Sequence, residues 1–373
     1  MKFNFFKKKE GNFVGIDLGT ASIKLVELSG QGGTPRLVTY GIAERSGDIV
    51  RNNSPEETQI VVGLLKRLKK ETKVTTTNAI AALPPFSVFS SILSLPKMPR
   101  KEIAQAVKWE AKKFVPMPLE EMILDWKLLK NDYSNKDKTK EQQDSAADSN
   151  DSNADKNKGA SKDLRVLITA APRSLVSKYI NIFKQAGFNL ISLETESFAL
   201  ARSLLLDVSS PVMIIDIGAL VTSISIIENG IPILNRSLDA GGETLTRAIS
   251  ASLSIDQSRA EQFKRDIGVV NNNSGGSIPK IIEQTLNPII NEVKYSFSLY
   301  QSQTSRGVEK VLLVGGSSYL PHLSEYLQRV LNVNVYLSDP WFKVSYPIEL
   351  KSVLEEIGAR LAVSIGLALR DLE

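Results

Sequence analysis

Cysteine is absent from the 373 residues, and histidine occurs once, as His322. Without thiols there is no disulfide, no thiolate zinc site and no cysteine nucleophile. With one imidazole, a histidine-built metal centre or a Ser-His-Asp triad lacks raw material, although carboxylates and phosphate oxygens could still hold magnesium. No apolar run approaches the length that spans a bilayer. The first ten residues carry Phe3, Phe5, Phe6 and Lys7–Lys9 but neither the apolar core nor the cleavage site of a secretory leader. The expectation is a soluble chain that stays in the cytoplasm, with a frayed, solvated N-terminus. Strong basicity is also missing: the net charge is +5, and stretches such as Lys66-Arg67-Leu68-Lys69-Lys70 have no interleaved aromatics. They read as solvated helix faces or as surface close to anionic lipid, and no nucleic-acid partner is expected.

At about 100–200 residues per domain, the length calls for two lobes, and two lobes imply a cleft. Periodicity predicts three strands over Phe13–Asp17, Ser22–Leu28 and Arg36–Gly41. A helix follows, with Ser54 as N-cap, Pro55 at its first position, and Ile60, Val61, Leu64, Leu65 and Leu68 on one face. Asn78–Leu83 resumes the sheet. The second half repeats the plan with strands over Val212–Asp216, Thr222–Glu228 and Ile231–Ser237, the last two joined by an Asn229-Gly230 turn, and then a helical stretch. Each repeat opens with an apolar strand ending in Asp-x-Gly, a coincidence that points to internal duplication. Between the repeats, Arg100–Val115 is an expected amphipathic helix stopped by Pro116-Met117-Pro118. From Asn131 to Asp163 the chain is almost wholly polar and is expected to be a disordered surface loop, before a strand over Leu164–Ala171. The last helix, over Leu350–Leu372, is expected to belong to the core.

Three segments carry chemistry. In Asp17-Leu18-Gly19-Thr20-Ala21-Ser22-Ile23-Lys24 the glycine lets backbone amides approach an anion. There Thr20 and Ser22 add hydroxyls, Lys24 adds charge, and Asp17 is placed to hold Mg²⁺ through water. Asp216-Ile217-Gly218-Ala219-Leu220-Val221-Thr222 has the same layout, so two facing turns can clamp one polyphosphate. Val311-Leu312-Leu313-Val314 runs into Gly315-Gly316-Ser317-Ser318, where a flat base can lie against backbone.

In this order, the three segments resemble the two phosphate loops and the adenosine loop of the actin, sugar-kinase and heat-shock-chaperone ATPase superfamily. Within it, the chain is similar to the type IV pilus assembly PilM family over nearly everything outside the polar stretch. Phe13-Val14-Gly15-Ile16-Asp17-Leu18-Gly19-Thr20, Trp109-Glu110-Ala111-Lys112-Lys113-Phe114-Val115-Pro116-Met117-Pro118 and Gly366-Leu367-Ala368-Leu369-Arg370 carry the likeness. Gly241-Gly242-Glu243-Thr244-Leu245-Thr246 suits both PilM and its division relative FtsA. The resemblance implies an α/β fold of the duplicated actin-like (ribonuclease-H-like) kind, two-lobed, with a nucleotide cleft between the lobes and a small subdomain inserted in the first. The expected division is 1–83 for the first lobe, 84–193 for the inserted subdomain, and 194–373 for the connecting helix, second lobe and C-terminal helix. ATP and Mg²⁺ are the implied ligands. The implied partner is the cytoplasmic N-terminal tail of a PilN-type bitopic protein, docked beside the subdomain at the inner membrane, with membrane contact only indirect. Pilus motor ATPases and a second copy of the chain are further candidate partners.

The resemblance also assigns residues. Glu194 matches the connecting-helix glutamate near the attacking water, and Glu261 and Lys264 match groups that reach ribose and base. Gly241 and Gly242 join Asp17, Gly19, Thr20, Ala21, Ser22, Lys24, Asp216, Gly218, Ala219, Gly315, Gly316 and Ser317 around the nucleotide, with Asp17 and Asp216 also serving the metal. Two features depart from the family pattern. The polar stretch is long, and the second phosphate loop has Ala219-Leu220-Val221 where a further glycine or a Gly-Thr pair is usual. Fewer donors around a γ-phosphate imply tight binding and slow turnover. The rival classes are a small-molecule kinase, with Glu194 or Glu243 as base, and an FtsA- or MreB-like division or cytoskeletal protein. The kinase lacks a substrate-specific constellation, and the FtsA type lacks its amphipathic membrane helix after a linker.

Overall fold

The computed structural model describes residues 11–30, 33–45, 48, 50–52, 54–129, 163–206, 209–269 and 277–372. The expected disordered loop and the aromatic, basic N-terminus fall outside the described residues, Asp163 excepted. The chain divides into two compact units: Phe89–Arg173, and the remainder, made of the residues up to Val88 together with Ser174 onward.

The larger unit opens with β1 (Asn12–Leu18), β2 (Ser22–Ser29), β3 (Arg36–Glu44), α1 (Pro55–Glu71) and β4 (Asn78–Leu83). Ser54 caps α1, its side chain accepting from the Glu57 amide, and Val61, Val62, Leu65 and Leu68 are the buried face. The smaller unit follows, with β5 (Phe89–Leu95), α2 (Arg100–Ala111), β6 (Met122–Leu128) and β7 (Leu164–Pro172). Its three strands form an antiparallel sheet in the order β5-β7-β6, and α2 buries Ile103, Val107 and Ala111. That helix ends at Ala111 and not at Val115, because Pro116 disfavours helical geometry at the residue before it and three turn residues intervene.

The chain then returns to the larger unit through α3 (Arg173–Gln185), β8 (Asn189–Thr195) and α4 (Glu196–Leu204). The first sheet has the order β3-β2-β1-β4-β8, so β8 completes it beside β4 and the inserted unit stops well short of residue 193. β-Ladder hydrogen bonds to β4 decide this boundary, which composition did not reveal. The second sheet comes from β9 (Val212–Ile217), β10 (Thr222–Glu228) and β11 (Ile231–Leu238), then α5 (Gly242–Leu253), α6 (Gln257–Ile267), α7 (Ser277–Thr304), β12 (Lys310–Val314), α8 (Leu323–Leu331), β13 (Asn334–Leu337) and α9 (Lys351–Leu369). Its order is β11-β10-β9-β12-β13, the same pattern of two antiparallel and two parallel neighbours around the first strand. The duplication in the sequence is thus a duplication of the sheet.

Strands β1, β9 and β12 are almost fully buried, and their nearly unbroken apolar runs are what central strands covered on both faces require. Helices α4 and α9 contribute to one core with β1, β2, β4, β9 and β12. The approach is backbone to backbone in two places: a methyl group at Gly15 would overlap the Ser364 carbonyl oxygen, and one at Gly366 would overlap that of Ala199. Helices α5, α6, α7 and α8 cover a second core on β9, β10 and β12.

Candidate functional site

Two β-turns with the same closure face one cleft. The Gly19 amide donates to Ser22 O at 3.0 Å, and the Gly218 amide to Val221 O at 3.0 Å. Asp17, Gly19, Thr20, Ala21, Ser22 and Lys24 line the cavity with Asp216, Gly218 and Ala219, joined by Val50, Phe86 and Glu196. Both glycine amides are consumed by their turns, so an anion held here meets the amides that follow them. The second turn is anchored from behind: Gly218 O accepts from the Gly242 amide at 3.0 Å and from Ser317 Oγ at 3.3 Å, and Ala219 O accepts from the Glu243 amide at 2.9 Å.

These bonds carry the site outward. Gly241 and Gly242 begin α5 behind the second turn, and Lys264 Nζ donates to Gly242 O at 3.1 Å, to Thr246 Oγ1 at 3.0 Å and to Glu261 Oε2 at 2.6 Å. Burial works against the Glu261 charge, but hydrogen bonds from Lys264, Thr246 and Arg265 outweigh it and hold its carboxyl down at about 2. Gly315 has φ +87, and a side chain there would overlap Asp216 Oδ1; Gly316 follows beside Arg360. Hydrogen bonds and close contacts therefore link the residues that the resemblance assigns to phosphate, ribose and base, although Gly241, Gly242, Glu261, Lys264 and Gly315–Ser317 do not line the cavity itself.

The cleft floor concentrates charge. Lys24 Nζ lies 2.8 Å from Asp17 Oδ2, with the side chains 17% and 6% exposed. Burial opposes the Lys24 charge, yet Asp17, by attraction and by its hydrogen bond, and more weakly Asp216 and Glu196 raise its pKa above the ordinary lysine value. Burial, with Asp17 adding and Lys24 opposing, pushes Asp216 up to about 6. Glu196 rises well above the usual carboxylate range, through burial first and then the charges of Asp17 and Asp216. Nearby, the Tyr179 hydroxyl is buried with no hydrogen-bond partner among the described residues, and burial, with the charges of Asp17 and Glu196, raises its pKa strongly. At the mouth, Arg51 lies 4.4 Å from the Phe86 ring centre and pairs with Asp239.

Glu194 is not in the cleft. Its carboxylate takes Arg202 Nη1 at 2.7 Å and Nη2 at 3.0 Å, with Arg370 Nε at 3.6 Å, and Arg202 Nη1 also donates to Gly366 O at 2.5 Å. It ties α4 to α9. The cleft glutamate is Glu196: the chain leaves β8 at Thr195, Glu196 starts α4, and Glu196 lines the cavity whereas Glu194 does not. Thr195 as a helix-capping residue type was the available signal for Glu196; nothing local announced Tyr179, Val50 or Phe86.

Oxygen donors around a cationic stand-in suit a divalent cation with phosphate. Among the described residues, no group of three or more His, Asp or Glu side chains is arranged to hold a metal directly. A cation here would therefore complete its shell with water and ligand oxygens.

The sequence model of the type IV pilus assembly protein PilM family matches residues 15–151 and 152–372. A solved PilM-PilN type IV pilus biogenesis complex contains a chain 26% identical, with 98% of this chain and 100% of that one covered and a TM-score of 0.79. The ethanolamine utilization protein EutJ from Carboxydothermus hydrogenoformans is 18% identical over 97% of this chain and 90% of its own, with a TM-score of 0.53. MreB 5 of Spiroplasma citri, bound to AMPPNP, is 14% identical over 96% and 95%, with a TM-score of 0.51. These two likenesses speak for the two-lobed actin-like fold alone.

Proposed function

This chain belongs to the type IV pilus assembly protein PilM family, and from that premise we propose that it is an ATP-binding adaptor of the pilus assembly platform that binds the cytoplasmic tail of a PilN-type protein. The observation that carries the reading is the likeness to the PilM-PilN complex over 98% of this chain, combined with the cleft between the two Asp-x-Gly turns. ATP supplies the polyphosphate charge and the adenosine that such a cleft accommodates, and Mg²⁺ supplies the counter-charge. Asp17 and Asp216 would hold the hydrated cation, Lys24 and the turns carrying Thr20, Ala21 and Ala219 would meet phosphate oxygens, and Lys264 and Glu261 would face the ribose.

Glu196 is the cleft glutamate available to orient water, and burial, with the charges of Asp17 and Asp216, raises its pKa well above the usual carboxylate range. With Ala219-Leu220-Val221 after Gly218 offering few donors to a γ-phosphate, turnover is slow and ATP acts as a ligand that stabilises the partner-binding conformation. The kinase reading loses its bases: Glu194 is held by Arg202, and Glu243 pairs with Arg247 at 3.1 Å. On the smaller unit, Trp109, Phe114 and Met117 are 64%, 50% and 40% exposed, apolar surface of the kind a short peptide covers. No helix among the described residues is long and apolar enough to cross a membrane. The proposed place is cytoplasmic, peripheral to the inner membrane through the partner.

The test is calorimetric titration with a peptide copying the tail of a PilN-type protein, with and without Mg-ATP. One-site binding that needs nucleotide and disappears in Asp17→Ala or Asp216→Ala supports the adaptor. Normal ATP binding with no peptide binding in either state would sink it.

A further inference from the structure

Among the described residues that line the cleft, one lysine faces its acidic floor. Antiparallel pairing of β1 with β2 sets Lys24 directly across from Asp17, and the ammonium sits 2.8 Å from Asp17 Oδ2. A methyl group on Gly19 would come within 2.9 Å of that nitrogen, so the ammonium is held against the turn as well as against the carboxylate. Asp216 and Glu196 line the same cavity. Neighbouring cations are committed elsewhere: Arg51 to Asp48 and Asp239, Arg202 to Glu194, Arg360 to Glu44. Across from Asp216 the second hairpin offers Ser223, so Lys24 is the cation that both hairpins share.

A carboxylate oxygen that already accepts from an ammonium at 2.8 Å has one acceptor site and much of its field engaged. A divalent cation approaching the same oxygen would meet the lysine charge and would have to shed water, which magnesium-type ions do reluctantly. We infer that the Lys24 ammonium is the resident cation of the cleft: it holds the Asp17 oxygen that a divalent cation would use, and excludes that cation until an anionic ligand draws the lysine away. The anion and the divalent cation then enter as a pair. As the anion arrives, its oxygens take the ammonium from Asp17, and the freed carboxylate meets the cation's water shell. Free divalent cation gains no foothold, and free polyphosphate faces three carboxylates. The inference rests on the nucleotide reading only for the identity of the anion.

Mn²⁺ alone, titrated into the nucleotide-free full chain and followed by electron paramagnetic resonance, tests it. Wild type is expected to leave Mn²⁺ free, whereas Lys24→Met takes up one ion with affinity higher by about tenfold or more, and Lys24→Met with Asp17→Asn loses it again. If Lys24→Met does not fold, Lys24→Met with Asp216→Asn, which removes one charge of each sign and keeps Asp17, is read the same way. Mn²⁺ binding to wild type as tight as to the lysine variant, or no gain in whichever variant folds, overturns the inference. Failure of wild type to bind ATP with Mn²⁺ present would overturn the nucleotide reading and leave the Mn²⁺ comparison standing.

Discussion

Across from Asp17 stands Lys24; across from Asp216, at the same position of the second hairpin, stands Ser223. The two hairpins share strand order, turn closure and an aspartate at the strand end, yet one aspartate is matched by a cation and the other is not. Burial can therefore push Asp216 up to about 6, since Lys24 opposes it only from the neighbouring hairpin. The strands behind the turns differ as well. Two residues before each aspartate, β1 has Gly15 and β9 has Ile214, because α9 lies against the backbone of β1 while β9 fills the core with side chains. A duplicated fold unit can thus keep its geometry and divide its work, one copy holding the charge and the other the packing.

The comparison breaks most sharply at that matched pair. Gly15→Ala is expected to force α9 off β1 and to cost on the order of 3 kcal/mol, while Ile214→Ala is expected to lose about 2–5 kcal/mol by leaving a cavity. Urea unfolding of both variants checks this, and a Gly15→Ala variant as stable as wild type would show that β1 does not need its bare backbone against α9.

At the aspartates the expected effects have opposite signs. A carboxyl whose folded pKa is raised binds its proton more tightly in the folded state, so its contribution to stability declines as pH rises from the unfolded value near 3.8 to about 6. Asp216→Asn should therefore stabilise the nucleotide-free protein by about 2–3 kcal/mol above pH 6 and have little effect below pH 4. Asp17→Asn leaves Lys24 buried without its partner and should destabilise by about 1–3 kcal/mol. Guanidinium midpoints at pH 4 and pH 8 separate the two; a common sign at pH 8 would refute the division of roles.

The smallest difference concerns the helices that follow the hairpins. Ser54 caps α1, whereas α5 starts at Gly241 with no side chain to cap it. Ser54→Ala should cost about 1 kcal/mol, a thermal midpoint lower by about 1–3 °C. An unchanged midpoint would mean that the start of α1 does not depend on its side-chain cap.

Both Asp-x-Gly turns were legible because each ends an apolar strand and carries its own turn chemistry, and the Ser54-Pro55 helix start was legible for the same local reason. Glu194 and Glu196 were not separable by pattern. They stand two apart in Leu193-Glu194-Thr195-Glu196, and only the switch from β8 to α4 turns one toward Arg202 and the other toward the cleft. The end of the inserted unit was missed because β8 is short and its partner, β4, lies 111 or 112 residues earlier in register with it.

Local order in this protein follows from its sequence through periodicity, capping and glycine placement: the repeated strands, the capped α1, the buried last helix. Tertiary structure decided what local rules cannot see. Glu27 is buried where Asn12 and Thr75 satisfy it, Glu194 becomes a tie to a helix 164 residues beyond its arginine, and Lys24 closes on Asp17 beside the carboxylates of another hairpin and another helix. In each case the energy of a charged group is set by partners brought close in space from distant parts of the chain, and the strength of such a contact depends on distance and burial that no short window of residues contains.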